Sequence, residues 1–345
     1  MEQHKLGEGL LLNDDGNLNE AGYAFSLVKT YNRDKIKASK LRIKEWDYYY
    51  VGNAHRGLAM TIDDNGYMDL CSLTILDFDK PGYIEKSEMH AFSLGKRNLP
   101  LSSKEGDTVY KDKKVEMNFI HEDGKRHLKC YWREFGKNKE DLRVDVVLEE
   151  TTGGNSMVIA TPFEKKGHFY YNQKINNLRS SGYAKLGDEF IDLNRDSYGV
   201  LDWGRGVWTY QNTWYWSSLN SFDGKHTIGW NLGYGFGNTS AASENMLFVD
   251  DNVYKLDDVK FDIPLDSRGH DELMKPWALQ STNGDIDLVF TPKIIRAGGA
   301  NVLLIKSIQN QVFGTFKGLI RINNGAKTFE IVNLPGFAEK VFNRW

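Results

Sequence analysis

The densest group of reactive and aromatic side chains is Gly199-Val-Leu-Asp-Trp-Gly-Arg-Gly-Val-Trp208, followed by Trp214-Tyr-Trp216. It sets Asp202 and Arg205 among Trp203, Trp208, Trp214 and Trp216. Beside indole rings and away from water, a charged carboxyl group is destabilised and its pKa rises. Asp202 could then hold a proton near neutral pH and deliver it as a general acid. The Arg205 guanidinium would oppose that rise, or hold a substrate oxygen. The competing reading is structural: Asp202 and Arg205 pair with each other or with loop backbone and fix a barrel corner.

Other segments offer weaker chemistry. Glu244-Asn245 precedes the apolar run Met246-Leu-Phe248 and would supply an acid plus an oxyanion donor, or cap a turn. Glu244 is also a candidate second carboxylate of a glycosidase-like pair with Asp202. Thr61-Ile-Asp63-Asp64 and Asp77-Phe-Asp79 are acidic, but Asp63-Asp64-Asn65-Gly66 lacks the later Glu of a calcium loop. A solvated turn is its default reading, with a place for Asp63 in a pocket as the alternative. The histidines form no HxxxH or HExxH pair and no Cys-x-x-Cys occurs, so no metal site is expected. Gly233-Tyr-Gly-Phe-Gly237 lacks the spacing of a dinucleotide fingerprint and reads as a hairpin or bulge, so no cofactor is implied. The close of the chain, Glu339 to Arg344-Trp345, reads as a docked strand completing a core, with Glu339 facing an interior as the functional alternative.

The elements that must position these residues are strands. Apolar and polar residues alternate in Val115–Ile120, Leu142–Leu148, Met246–Val249, Val259–Ile263, Ile286–Phe290 and Gln311–Ile322. Period two places one face in a core and the other in water. Asp123-Gly124, Asp223-Gly224, Asn283-Gly284 and Asn324-Gly325 separate such runs, and Asp250-Asp251-Asn252 reads as another turn. Asx-Gly tolerates the positive φ of a tight hairpin. Helix signals are confined to Glu20–Lys35 and Asp271–Trp277. A single open sheet of so many strands would be unusual, so two barrels or sandwiches are expected. The polar stretch from Leu178 to Asp196 marks the break, giving units of 1–185 and 186–345.

Composition narrows the function classes. The 345 residues include 18 Phe, 17 Tyr, 9 Trp and 33 Gly, which suits sheets with tight turns. A net charge of −3 gives no basic character for nucleic acid, and Arg126–Arg133 is explained by a half-buried strand. No run approaches the roughly 20 apolar residues of a membrane span. The N-terminus shows no secretory signal and the two cysteines form no disulfide framework, so a cytoplasmic protein with reduced thiols is expected.

The chain resembles domain-of-unknown-function family 2804. The resemblance is carried by Leu201-Asp-Trp-Gly-Arg-Gly-Val-Trp208, Trp214-Tyr-Trp216, Asn231-Leu-Gly233, Glu244-Asn245, Phe290-Thr-Pro292, Gln311-Val-Phe-Gly314 and the Glu339 to Arg344-Trp345 ending. In the first half Lys44-Glu-Trp-Asp-Tyr48 and Thr61-Ile-Asp63 fit its pattern. That family looks distantly similar to carotenoid-hydratase-like proteins. The similarity implies an all-β fold of two lipocalin-like (calycin-type) antiparallel barrels in tandem with few short helices. It also implies a hydratase, dehydratase or isomerase acting on an apolar small molecule. By that analogy Asp202 is the proton donor, with Arg205 and Glu244 as polar partners. Trp203, Trp208, Trp214 and Trp216 would line an apolar wall or stabilise a developing cation, with Asn245 and Asp63 also meeting substrate. Neither cofactor nor metal is expected, and the chain is taken as a monomer or homodimer. Two rivals stand beside this reading: a non-catalytic barrel that binds a lipid, terpenoid or pigment, and a glycosidase-like enzyme using Asp202 and Glu244.

Overall fold

The computed structural model describes residues 3–302, 305–323 and 325–344. Trp345 and Asn324, singled out from the sequence, lie outside them. The chain is all-β, with 3-10 turns at Arg33–Lys35 and Lys40–Arg42 as the helical elements among the described residues. The helical signals in Glu20–Lys35 and Asp271–Trp277 are overridden. The first becomes short strands at Gly22–Ala24 and Lys29–Thr30 before the 3-10 turn, and Trp277 opens a strand. Tertiary pairing outweighs weak local propensity at these places.

Two curled antiparallel sheets follow one another along the chain, each a half-barrel of lipocalin-like form. The first runs in the order Gly82–Ala91, Met68–Asp77, Arg56–Asp64, Ile43–Gly52, Tyr198–Val207, Phe169–Leu186, Leu142–Glu149, Lys125–Trp132, Val115–Glu122, Thr108–Lys111. The second runs Asn252–Lys255, Met246–Val249, Thr227–Tyr234, Gln211–Phe222, Lys327–Arg344, Ile305–Ile322, Ile286–Val302, Trp277–Ser281, Val259–Asp262. The division between the sheets therefore falls after Val207. Tyr198–Val207, expected in the second unit, is a central strand of the first, between Ile43–Gly52 and Phe169–Leu186. The polar stretch from Leu178 to Asp196 is a strand end and a hairpin, and water-facing polarity there imitates a linker.

Period two explains the layering. In Ile43–Gly52, Tyr49 and Val51 enter a core shared with Met60, Ile62, Leu73, Leu201 and Trp203. Their neighbours Tyr48 and Tyr50 point the other way, into a cluster shared with Trp216, Phe313 and Phe337 of the second sheet. The second sheet likewise keeps its own core around Leu219, Trp230, Phe290 and Phe316. Each sheet thus buries one face inside its half-barrel and part of its other face against its neighbour. The long strand Phe169–Leu186 helps to join them. Its register slips between Ile175 and Leu178, and the extra residues reach the second sheet. Asn176 Nδ2 donates to Ser218 Oγ, Asn220 Oδ1 and Trp230 O at 3.0–3.1 Å.

Candidate active site

Two rungs of residues, one on each sheet, face each other across the junction. Strand pairing aligns Lys174, Asp202, Tyr48, Thr61 and Ser72 across the first sheet. It aligns Trp216, Glu339, Gln311 and Arg296 across the second. Residues in register on adjacent strands share a face. All nine line a cavity of about 180 Å³ between the sheets, together with Trp46, Asp63, Tyr170, Trp208, Trp214 and Phe236. The cavity lies outside both half-barrel interiors. A void inside the first one, beside Asp47 and Arg126, is only about 10 Å³.

Aromatic rings form the apolar wall. Trp46 stacks on Tyr170, with ring centres 6.1 Å apart. Trp208 contacts Trp46, Tyr170 and Trp214 at 5.2–5.7 Å. Gly204 makes this possible: a Cβ there would lie 2.1 Å from the Trp46 ring, so only glycine leaves the indole its place. Phe236 is delivered by the Gly233–Gly237 segment. Gly235 and Gly237 have φ of 94° and 92°, where L side chains are strained, and the turn brings Phe236 onto Tyr170 at 5.2 Å.

Lys174 is the electrostatic centre. Its ammonium is 3.7 Å from Asp202 Oδ1 and 3.6 Å from Glu244 Oε2. It donates to Asn172 Oδ1 at 2.9 Å and Tyr170 OH at 3.2 Å, and it sits over the Trp216 ring at 4.8 Å. Asn172 in turn donates to Asp202 Oδ1 at 2.6 Å. On the opposite wall Glu339 accepts from Trp214 Nε1 at 2.9 Å and from Gln311 Nε2 at 3.3 Å. Burial raises the Glu339 carboxyl to about 7, against the pull of the Trp214 hydrogen bond and with a further push from Asp202. Glu244 is raised too, by burial first, against the attraction of Lys174.

The sequence candidates divide by face. Asp202, Trp208, Trp214, Trp216 and Asp63 line the cavity. Arg205 and Trp203 do not, because odd positions of Tyr198–Val207 point into the first half-barrel. There Arg205 is completely buried, 3.0 Å from Asp47 Oδ1, and donates to the carbonyls of Pro100, Trp46 and Gly204. Its guanidinium lies over the Trp203 ring at 4.3 Å. Arg205 thus pairs with Asp47 and not with Asp202, and both Arg205 and Trp203 stand apart from the cavity. Glu244 lies behind the wall, under Gly233, where a Cβ would meet its carboxylate at 2.3 Å. Asn245 is engaged with Gly233 N at 2.7 Å and Asp257 O at 2.9 Å. Lys174, Tyr170 and Arg296 are not singled out by the sequence, and Gln311, which opens one of the matching motifs, is not marked there as a site residue. The signal available for Lys174 was a strand, Phe169-Tyr-Tyr-Asn-Gln-Lys-Ile-Asn176, whose polar face carries Asn172, Lys174 and Asn176 but is flanked by tyrosines, as a buried polar row would be. Among the described residues no group of three or more His, Cys, Asp or Glu side chains is placed to hold a metal ion.

The chain is similar in fold to a candidate AttH from Nitrosomonas europaea, with a TM-score of 0.52, 11% identity, and 87% of this chain and 92% of that one covered. Kievitone hydratase from Nectria haematococca aligns at 0.49 and 11% identity over 93% and 97% of the two chains. CghA aligns at 0.46 and 8% identity over 98% and 97%. Comparison with curated proteins finds no match. A family model does match, over residues 2–345, and its description agrees with the resemblance carried by the Asp202 segment. The chain belongs to the family described as Domain of unknown function (DUF2804).

Proposed function

We propose that this protein is an enzyme that transfers protons to and from an apolar small molecule, as in hydration, dehydration or isomerisation, with Glu339 as acid and Asp202 as base. The observation that supports it most is Glu339 itself, a buried carboxyl raised to about 7 that shares one aromatic-walled cavity with a second carboxyl, Asp202. An acid whose pKa matches the working pH is the efficient proton donor. Two carboxyl groups in unlike settings divide the acid and base roles. The proton-donor role expected for Asp202 passes in this reading to Glu339, because Asp202 takes the Asn172 amide N–H and faces the Lys174 ammonium, the partners of a carboxylate.

In the hydration direction the Glu339 proton forms a C–H bond with the π pair of an alkene. The positive charge left on the neighbouring carbon is stabilised by the faces of Trp216 and Trp46. Water forms the C–O bond and its surplus proton goes to Asp202. Return of that proton to Glu339 completes the cycle. In an isomerisation the same cation loses a carbon-bound proton to Asp202. Lys174 is a positioning residue that holds Asp202. Glu244 and Asp202 flank that one ammonium and only Asp202 lines the cavity, which does not favour a glycosidase pair.

The test compares wild type, Asp202→Asn and Glu339→Gln after incubation with a metabolite extract, using mass spectrometry. A change of one water, or an isomer of shifted retention, in the wild-type reaction alone is the expected result. Identical profiles from all three proteins overturn the reading. A compound retained unaltered by all three would make the cavity a binding site without chemistry.

A further inference from the structure

Acidic side chains outnumber basic ones around the cavity. Asp63, Asp202 and Glu339 line it, while its cations are Lys174 and Arg296. Each of these already has an acid outside the lining: Glu244 stands at 3.6 Å from Lys174, and Glu85 forms an ion pair with Arg296. Arg296 also donates to Gln311 Oε1 at 3.2 Å. Aromatic faces, negative at their centres, make up much of the remaining wall. At one end Asp63 stands directly opposite Trp46 in the strand pairing. Asp63 is only 8% exposed, yet its Oδ1 accepts no hydrogen bond. Burying a carboxylate without a partner is costly, and the groups around it do little to offset that cost. Burial pushes the Asp63 carboxyl well above the usual carboxylate range, the charges of Asp64 and Asp69 add to that rise, and an Asn65 hydrogen bond opposes it. Lys44 attracts it, but the Lys44 ammonium donates to Asn65 O at 2.6 Å and lies over the Tyr67 ring at 4.1 Å. Burial also lowers Lys44 to about 7, so its charge there is only partial near neutrality.

We propose that the ligand of this cavity is an organic cation, an amphipathic amine whose ammonium group binds Asp63 beside the Trp46 ring while its apolar body lies along Tyr170, Trp208 and Trp216. An ammonium supplies the donor that Asp63 Oδ1 lacks, and an indole face attracts it further. A carboxylate ligand would meet like charge. A neutral alcohol would bring no positive charge to Asp63. The volume sets the size. A cavity near 150 Å³ holds benzene, so about 180 Å³ takes one ring with a short chain. The inference rests on the cavity of the proton-transfer reading and specifies its substrate class, but its test reads binding alone. Amine binding without turnover would count against the chemistry and not the ligand class, and turnover of a neutral compound would do the reverse.

The test titrates the whole protein with 3-phenylpropylamine, 3-phenylpropanol and 3-phenylpropanoate at pH 7, followed by calorimetry and tryptophan fluorescence. The expected result is amine binding about tenfold or more tighter than that of the alcohol, with the carboxylate weakest. In Asp63→Asn the amine preference should fall to within about twofold while the alcohol binds as before. Photocrosslinking the wild type with a diazirine-bearing phenylalkylamine should label peptides from 43–65, a result that does not depend on the variant folding. Alcohol binding as tight as amine, no binding by any of the three, an amine preference that survives Asp63→Asn, or label placed elsewhere would each overturn the proposal.

Discussion

Trp214 donates its indole N–H to Glu339 Oε1 across 2.9 Å, and the strand pairing places Trp216 directly opposite the same glutamate. One carboxyl is thus held between two indoles of adjacent strands, with Gln311 on its other oxygen. Its burial has consequences for both stability and rate.

For stability, Glu339 is raised from its ordinary 4.5 to about 7. Between those values the folded protein binds more protons than the unfolded chain, so stability falls as pH rises. The contribution is fully present below about 4.5 and is lost as pH passes 7, an effect of roughly 3 kcal/mol. Urea unfolding should show a steeper loss of stability from pH 5 to pH 8 in wild type than in Glu339→Gln. Equal slopes in the two proteins would mean that the carboxyl titrates like an exposed one.

For rate, the acid form of Glu339 is depleted above about pH 7. Turnover of the substrate identified by mass spectrometry should decline on that limb. Glu339→Gln should lower kcat by about 10²–10⁴ with little change in KM, the range for loss of a general acid. A variant that retained the wild-type pH profile would remove Glu339 from the chemistry.

Lys174 is buried between Asp202 and Glu244. Removing one partner of a buried charge group leaves the others uncompensated, at a cost of about 3–5 kcal/mol. Lys174→Met should lose stability on that scale by chemical denaturation. Adding Glu244→Gln should restore part of it, since the orphaned acid is then neutral. Additive effects of the two substitutions would show that Lys174 and Glu244 do not interact.

Arg205 gives the opposite pattern. It is buried beside Asp47 and bonded to three backbone carbonyls on the inner face of the first sheet. Arg205→Met should cost about 3–5 kcal/mol of stability. Activity per folded molecule should change by less than about threefold. A large fall in kcat with unchanged unfolding would place Arg205 in the reaction after all.

Much of the fold is legible in local sequence. Asp123-Gly124 turns a hairpin with φ of 52° and 72°, and the alternation in Val115–Glu122 and Lys125–Trp132 puts Met117, Leu128 and Cys130 in the core. The same alternation separates Asp202 from Arg205: three positions apart on a strand means opposite faces, so the pairing imagined between them is excluded by period two. The partners of Asp202 are another matter. Lys174 is opposite it through a strand pairing across 28 residues, and Glu339 faces it from a different sheet. Register and docking of that kind arise from long-range packing, which no local window contains. The return of Tyr198–Val207 to the centre of the first sheet is hidden for a related reason, since the exposed hairpin before Tyr198 has the composition of a linker.

The cavity occupies the seam where two separately packed half-barrels meet, and neither half's own core contains it. The cavity and the two stabilising cores therefore lie on different faces of the same strands. Substitutions at the seam can retune what the protein accepts while the hydrophobic cores go on holding the chain folded, an arrangement that loosens the usual conflict between a stable protein and an adaptable one.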